Sequence, residues 1–172
     1  RAIDHLKAKK FFKKTLKKNI FYKKNIKSIQ KINDKYKINN KLFDFVINCS
    51  YQQSFKIKNL DVTYEHCLFS LYKPKDKNHK SYTIMDGPFY TLLRWNKDLF
   101  SLYSVKDSRI LTSKNFDKAK ESFKKLSSKK KNQAKEKILN GFLKFYPKLK
   151  NNFKFVKNLY SIRTIVKNKK DA

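Results

Sequence analysis

Positive charge is concentrated at the two ends of this chain, and this distribution limits where a compact core can form. Of its 172 residues, 44 are Lys or Arg and 13 are Asp or Glu, which gives a formal net charge of +31. Residues 1–41 carry +13, residues 42–113 carry +3 and residues 114–172 carry +15. Because like charges repel, a chain this basic is compact only where charge is sparse or where a polyanion neutralises it. We therefore expect a nearly neutral folded middle between two basic ends.

The composition favours folding over disorder. The chain contains 15 Phe, 10 Tyr and 1 Trp, whereas disordered basic chains are poor in aromatic residues. Lys, Asn, Ile, Phe and Tyr dominate the sequence and all have A/T-rich codons, so part of the lysine excess reflects the base composition of the genome. The lysine content therefore indicates an anionic partner but identifies single contact residues only weakly.

The first segment, residues 1–41, has the pattern of an amphipathic basic helix. Its lysine pairs alternate with apolar residues that recur every four positions, namely Phe12, Leu16 and Ile20. A second apolar set continues at a spacing of three, namely Ile26, Ile29 and Ile32. These spacings place the apolar side chains on one helix face and the lysines on the other. They predict one or two basic helices that end near Asn33-Asp34.

The middle segment, residues 42–113, has the pattern of an antiparallel sheet. It is rich in β-branched and aromatic residues and is punctuated by turn residues, which is typical of strands. We expect four or five antiparallel strands here, with a helix as the alternative for 90–93 and for 98–105. The polar stretch 73–80 predicts a hairpin tip that carries four lysines. Gly87 is available for a turn that needs a positive φ.

The last segment, residues 114–172, returns to a helical pattern. Apolar residues have helical spacing after Asn115, which is available as an N-cap, and again after Ser127-Ser128 as far as Pro147. A further apolar stripe runs through residues 149–166 before a lysine-rich end. We expect this segment to be helical as well.

Together these patterns predict the α+β class, with a small antiparallel β-containing middle flanked by basic α-helical N- and C-terminal extensions. The expected division is a basic helical N-terminal extension at 1–41, a small β-rich core at 42–113 and a basic helical C-terminal region at 114–172.

No motif in the sequence predicts catalysis or a resident cofactor. Only two glycines are present, so neither of the common glycine-rich phosphate-binding loops can form. Zinc ligands usually come in pairs about two to four residues apart, whereas Cys49 and His66, and likewise Cys67 and His79, are far more widely separated. We expect Cys67 to be a small core residue and His66 to be exposed or in contact with a base. The prediction is a protein that is not an enzyme and has no metal, cofactor or small-molecule substrate.

The lysine clusters favour nucleic acid as the partner, because lysines that neutralise phosphates release condensed counterions. The clusters lie on both ends and on the stretch 73–80. This spread suits folded RNA contacted on several sides better than a DNA reader that inserts one element into a groove. The candidate RNA-binding residues are Lys9, Lys10, Lys13, Lys14, Lys17, Lys18, Lys23, Lys24, Lys73, Lys75, Lys77, Lys80, Lys129, Lys130 and Lys131. Four tyrosines near lysines are candidates for stacking on unpaired bases: Tyr22, Tyr36, Tyr72 and Tyr146.

At the level of a broad class, the chain resembles ribosomal proteins. The resemblance rests on the N-terminal lysine pairs, on Lys129-Lys130-Lys131 and on the lysine-bearing stretch 73–80, all around a nearly neutral β-containing middle. It implies a non-catalytic structural role in which basic extensions contact rRNA and neighbouring ribosomal proteins. The many aromatic residues favour an organellar ribosome, in the mitochondrial matrix or in another organelle. A start at Arg1 without methionine suggests that the true N-terminus was cleaved or is missing, and removal of a transit peptide would explain it.

Two other functions remain open from the sequence. An independent RNA- or DNA-binding factor, active in processing or packaging, would need the same charge. A peripheral protein of an organellar membrane complex would lay the N-terminal amphipathic helix on anionic lipid. No apolar run reaches the length of about 18 residues expected of a membrane-spanning helix, so no transmembrane segment is predicted.

Overall fold

The computed structural model describes residues 4–22, 24, 26, 28–49, 61–76, 78–87 and 89–166. The helices in this part of the chain are α1 (His5–Thr15), α2 (Phe116–Lys124), α3 (Ser128–Leu143) and α4 (Leu149–Asn152). The strands are β1 (Ile29–Ile32), β2 (Lys35–Ile38), β3 (Lys41–Phe43), β4 (Val62–Pro74), β5 (Tyr82–Thr83), β6 (Tyr90–Arg94), β7 (Phe100–Ser104), β8 (Arg109–Ser113) and β9 (Phe153–Val166). The combination of helices with antiparallel sheets confirms the predicted α+β class.

Helix α1 begins at His5 because Asp4 caps it. The Asp4 carboxylate accepts hydrogen bonds from the backbone N–H groups of Leu6 and Lys7, at 3.0 and 3.1 Å. These bonds satisfy two of the donors that the start of a helix leaves without an intrahelical partner. The helix ends at Thr15. A basic helix is therefore present where one was predicted, but it is much shorter than expected.

Residues 29–43 form a three-stranded antiparallel meander, so the prediction of further helix up to residue 34 was wrong. β1 pairs with β2, and β2 pairs with β3, through two-residue loops. Asn33 and Asn39 open these loops with φ angles of 51° and 53°. Asn tolerates this left-handed conformation better than most residues because its short polar side chain can hydrogen-bond locally. Ile29 and Ile32 lie on opposite faces of β1, and the two turns override the helical spacing over so few residues.

Strand β4 is the centre of a six-stranded antiparallel sheet. Along one edge, β9 pairs with β4 over its whole length, residues 62–74 against residues 153–166. The other edge of β4 is shared, because β8 pairs with residues 64–67 and β7 pairs with residues 70–72. β6 and then β5 continue the sheet beyond β7. Every other strand of this sheet therefore depends on β4, either directly or through its neighbours.

The loop 105–108 separates β7 from β8, which run in the same direction along β4. Its Ser108 carbonyl oxygen accepts the N–H of Leu68 at 2.8 Å, and the Ser108 hydroxyl accepts the N–H of Ser104 at 2.9 Å. The Ser104 hydroxyl in turn accepts the N–H of Asp107 at 3.0 Å. These bonds tie the loop to the sheet and hold Asp107 in a buried position.

Helices α2, α3 and α4 pack on one face of this sheet. Tyr64 of β4 meets Phe116 of α2 edge to face, with ring centres 5.6 Å apart. The main core cluster joins the sheet to α3 and α4 and contains Leu68, Tyr72, Tyr90, Leu92, Phe100, Leu102, Ile138, Phe142, Leu149 and Phe153. Successive residues of a strand point to opposite faces of the sheet, so Tyr64 and Leu68 lie on the helix-covered face.

The predicted starts of α2 and α3 are confirmed. The Asn115 side-chain oxygen accepts the N–H of Lys118 at 3.1 Å, and the Ser127 hydroxyl accepts the N–H of Lys130 at 3.4 Å. Helix α3 ends shortly before Pro147, which cannot continue a helix because it lacks an N–H donor.

The apolar stripe of residues 149–166 was predicted to be helical, and this was wrong beyond residue 152. Residues 153–166 form β9 and belong to the same sheet as the middle of the chain. Pairing with the 13-residue strand β4 outweighs the helix-like spacing of these side chains, because β9 covers an edge of β4 that would otherwise leave its backbone groups without ladder partners.

The stretch 73–80 is not a hairpin tip. Lys73 and Pro74 are the last residues of β4, and the chain then crosses the sheet to β5, which pairs with β6 and not with β4. The two segments for which a helix was an alternative form strands β6 and β7. Gly87, between β5 and β6, has the expected positive φ, 83°.

Candidate nucleic-acid interface

Helix α1 presents lysines to solvent along most of its length. Four candidate residues lie on it and all are exposed: Lys9, Lys10, Lys13 and Lys14. Their spacings of three and four residues place them side by side on the helix surface. No residue of α1 is buried, and between Asp4 and Asp34 the chain contains no acidic residue. These ammonium groups therefore have no carboxylate on their own helix.

The remaining N-terminal candidates follow α1. Lys17 and Lys18 lie in an exposed turn, and Lys24 is exposed further along the chain. Lys23 lies outside the described residues. Tyr22 is 60% exposed, and the Lys13 ammonium lies 5.5 Å from the centre of its ring.

The lysines of the stretch 73–80 lie at the end of β4 and in the connection to β5. Lys73, Lys75 and Lys80 are exposed, and Lys77 lies outside the described residues. Lys73 is directly opposite Lys154 in the β4–β9 ladder. Like charges in opposed positions are unfavourable in an antiparallel sheet. An anion bound between the Lys73 and Lys154 ammonium groups would therefore reduce the repulsion between them.

The three lysines at the start of α3 do not share one environment. Lys129 and Lys130 are exposed, whereas Lys131 is half-buried. The Lys131 ammonium lies 4.7 Å from the ring centre of Phe123 and 6.0 Å from that of Tyr160. Contacts of this kind with aromatic faces are stabilising. Lys131 therefore joins α3 to α2 and β9, and it is less available for phosphate than its two neighbours.

The aromatic residues considered for base stacking are mostly used inside the fold. Tyr72 is buried in the core. Tyr146 stacks on Tyr82 with ring centres 4.9 Å apart, and Tyr36 is half-buried in β2. Tyr22 alone of the four proposed tyrosines has a largely exposed side chain.

His66 was expected to be exposed or in contact with a base, and this was wrong. It is 5% exposed and lies parallel to the Phe123 ring, with ring centres 4.3 Å apart. Neither of its ring nitrogens has a hydrogen-bond partner within the described part of the chain. Burial lowers the pKa of His66, because the charged imidazolium would lose its hydration. Its neighbour Cys67 is buried, as predicted.

A buried carboxylate, which the sequence did not reveal, organises two arginines on the opposite face of β4. Glu65 accepts from Arg109 Nη1 at 3.2 Å and from Arg163 Nε at 2.6 Å. Arg163 also donates to the Tyr103 hydroxyl at 2.5 Å and to the Val105 carbonyl oxygen at 3.2 Å. The buried Glu65 carboxylate is thus paired within the protein, as a buried charge must be.

Arg94 is also engaged inside the protein. It donates to the carbonyl oxygens of Lys97 and His79, at 3.1 and 2.9 Å, and its guanidinium lies 4.6 Å from the ring centre of Phe100. Planar arginine side chains suit such combined hydrogen bonding and stacking. Arg94 and Arg163 therefore act in the scaffold, while most of the exposed cations in the described part of the chain are lysines.

A second buried acidic residue, Asp107, joins the sheet to α3. It accepts a short hydrogen bond from the Tyr90 hydroxyl and pairs with Lys137 Nζ at 3.0 Å. Burial acts to raise the pKa of Asp107, but the hydrogen bonds from Tyr90 and Lys137 and the charges of Lys137 and Lys106 prevail and lower it. Burial and the contact with Asp107 together raise the pKa of Tyr90 to about 12. Asp107 is therefore a permanent anion at neutral pH.

A cleft that the sequence analysis missed lies between the segment after α1 and the meander. Its volume is about 600 Å³, and its lining includes Phe21, Lys24, Lys41 and Phe43. The one sequence signal for it was the Asn39-Asn40 dipeptide, a turn signature that places β2 and β3 side by side.

Within the described ranges, no three His, Cys, Asp or Glu side chains are grouped closely enough to hold a metal ion. None of the helices found there combines the length and apolar character needed to cross a bilayer. Comparison of the chain with protein-family models, with curated proteins and with solved structures finds no match.

Proposed function

We propose that this protein is a structural constituent of an organellar ribosome, specifically a mitochondrial one, and that it binds rRNA through its exposed lysines. The observation that carries the proposal is α1, an 11-residue helix with lysines on its surface and no buried residue. Helices shorter than about 12–15 residues are marginal in water without extensive tertiary packing. His5 contacts Trp95, with ring centres 4.8 Å apart, but repulsion between the lysines weakens the rest of α1. RNA phosphates along one side of α1 would neutralise the charge of its lysines and stabilise the helical state over the unfolded one.

The folded sheet supports this proposal by how it uses its few carboxylates. Glu65 and Asp107 are occupied by internal partners, namely Arg109, Arg163 and Lys137. The excess of basic over acidic residues therefore remains mainly on the surface. A scaffold of this kind, with rRNA and neighbouring ribosomal proteins as partners, needs no catalytic group.

The first test is the salt dependence of RNA binding. We expect the variant with Gln at Lys9, Lys10, Lys13 and Lys14 to bind a structured rRNA fragment more weakly. The slope of log K against log salt should fall by roughly 0.7–0.9 for each phosphate contact that is lost. A control variant with Gln at four other exposed lysines, Lys97, Lys120, Lys144 and Lys148, has the same net charge. An equal loss in both variants would contradict a specific role for α1.

The second test concerns the ribosome itself. A tagged full-length protein expressed in its own cells should sediment with ribosomal particles at low salt and be released when the salt concentration is raised well above the physiological level. Sedimentation as a free protein at low salt would overturn the ribosomal assignment. Tight binding of generic RNA or DNA without ribosome association would instead favour an independent processing or packaging factor.

A second candidate function, peripheral binding to an organellar membrane, is favoured by the apolar residues in α1 and at its C-cap. Phe11 and Phe12 are 63% and 56% exposed, and Leu16 is 43% exposed. An exposed apolar face beside a lysine face is typical of helices that lie in the membrane interface. Flotation with vesicles that contain anionic lipid would support this function, and it should fail with purely zwitterionic vesicles.

A further inference from the structure

We propose that the cleft between Phe21, Lys24 and Ile26 on one side and the β2–β3 hairpin on the other binds an unpaired nucleobase of RNA together with its adjoining phosphates. The inference rests on the proposed function and names a specific site for it. Proteins bind single-stranded RNA by combining aromatic side chains on which bases stack with cations that neutralise the backbone. In this cleft both kinds of group line one cavity of about 600 Å³.

Two phenylalanines supply aromatic surface in the cleft. Phe21 is 68% exposed and Phe43 is 42% exposed, although both line the cavity. A protein normally buries rings of this size, since each carries a large apolar area. The floor is completed by Ile26 and Ile38, so a flat apolar ligand would cover surface that is otherwise in contact with water.

Two lysines stand beside this aromatic surface. Lys24 and Lys41 both line the cleft, and the Lys41 ammonium lies 5.3 Å from the ring centre of Phe21. The nearest acidic residues in the sequence are Asp34 and Asp44, and Asp44 pairs with Lys35 at 3.3 Å. The two cleft lysines are therefore suited to the phosphates on either side of a bound base.

The hairpin loop adds groups that can hydrogen-bond a base edge. Asn39 and Asn40 form the two-residue loop between β2 and β3, and both line the cleft. An amide side chain offers both a donor and an acceptor, which is the combination that base edges require. The meander fixes this arrangement, because Ile38 and Lys41 are directly paired and Phe43 is two residues further along the same face.

The size and the chemistry of the cleft fit a nucleotide better than a duplex. Its volume of about 600 Å³ lies in the range of small-molecule sites. A duplex keeps its bases stacked and offers no free base face to such a cavity. The site should therefore distinguish single-stranded RNA from double-stranded RNA, which exposed lysines alone do not.

The test uses the full chain and two RNA probes of roughly 10 nucleotides, an oligouridylate and a duplex, a length within the site sizes of known single-strand binders. We expect Phe43→Ala and Phe21→Ala to weaken oligouridylate binding roughly 5-fold or more, with an unchanged salt slope and unchanged duplex binding. Phe45→Ala is the matched control, because Phe45 is 88% exposed and does not line the cleft. It should change the affinity less than about 2-fold.

A second measurement does not depend on how the variants fold. Irradiation of the wild-type protein bound to an oligouridylate that contains 4-thiouridine should cross-link Phe21, Phe43 or their immediate neighbours. Cross-links confined to other parts of the chain, or equal binding by the wild type and both phenylalanine variants, would overturn the site while leaving RNA binding intact. Failure of the wild type to bind either RNA would overturn the proposed function itself.

Discussion

The Tyr90 hydroxyl occupies the space that a side chain on Gly141 would need. Gly141 lies within α3, and a Cβ atom added there would overlap the phenol ring of Tyr90. Tyr90 cannot easily move away, because its hydroxyl donates to Asp107, which also pairs with Lys137 of the same helix. The glycine is therefore required for the close approach of α3 to the sheet.

Replacing Gly141 with alanine should destabilise the protein, although alanine is the better helix former. Overlap in a packed core usually costs about 1–3 kcal/mol. Because the added Cβ atom would meet several atoms of the Tyr90 side chain, we expect a cost towards the upper end, which exceeds the gain of about 1 kcal/mol in helix propensity. We expect a lower free energy of unfolding in urea. The control is Asn140→Ala, at an exposed position of the same helix, which should stabilise by a few tenths of a kcal/mol. Equal stabilisation by both variants would show that the overlap is absent.

His66 should make the protein sensitive to mild acid. Its pKa is lowered by burial, so below about pH 6.5 the unfolded chain takes up a proton that the folded chain resists. The free energy of unfolding should therefore fall as the pH drops from 6.5 towards the folded-state pKa. In His66→Phe, which keeps a ring against Phe123, this part of the decline should disappear.

The measurement is the difference in unfolding free energy between the wild type and His66→Phe, followed from pH 8 to pH 5. This difference should grow in favour of the variant as the pH falls. His66→Leu provides a second variant if the larger ring does not fit. Parallel pH profiles of the wild type and both variants would contradict a buried neutral histidine.

The sequence predicted those features that depend on local chemistry. The caps Asn115 and Ser127 define the starts of α2 and α3 because short side-chain oxygens accept N–H groups two or three residues ahead. Gly87 was identified because a positive φ is costly for other residues. The same kind of reasoning placed the small residue Cys67 in the core.

Features that depend on distant partners could not be predicted in this way. β9 becomes a strand because β4, some 88 residues away at Ser70 and Asn158, offers it a full-length edge. Helical spacing in the sequence contains no information about that edge. The pairing of Glu65 with Arg163 likewise exists only after the chain has folded. The same holds for the cleft that Phe21 forms with the β2–β3 hairpin.

Removing the charge of Glu65 should be much more damaging than removing a surface carboxylate. Glu65→Gln leaves Arg163 with a side chain that is mostly buried and without its anion, a loss that typically costs about 3–5 kcal/mol. Asp44→Asn breaks the ion pair with Lys35. The side chain of Asp44 is 72% exposed and that of Lys35 is 57% exposed, so the loss should cost less than about 1 kcal/mol. Thermal unfolding of both variants tests the contrast, and similar losses would argue against a buried network.

Two lysines at the start of α3 should have different roles, with Lys131 stabilising the fold and Lys129 binding RNA. Lys131→Ala removes the ammonium from the faces of Phe123 and Tyr160 and should lower the unfolding free energy by about 0.5–1 kcal/mol. Lys129→Ala should leave stability within about 0.5 kcal/mol but reduce the salt slope of RNA binding by roughly 1 if it contacts a phosphate. The opposite pattern would contradict the environments of these two side chains.

The two ends of the chain should differ in what they contribute, although both are basic. Removal of residues 153–172 takes away β9 and leaves one whole edge of β4 without its hydrogen bonds, so this variant should lose cooperative unfolding. Removal of residues 1–18 takes away α1, which has no buried residue, and should keep the cooperative transition while weakening RNA binding. Near-UV circular dichroism and urea titration of both variants test this difference. Loss of cooperativity on removal of α1, or its retention without β9, would contradict the assignment of one end to the RNA contact and the other to the sheet.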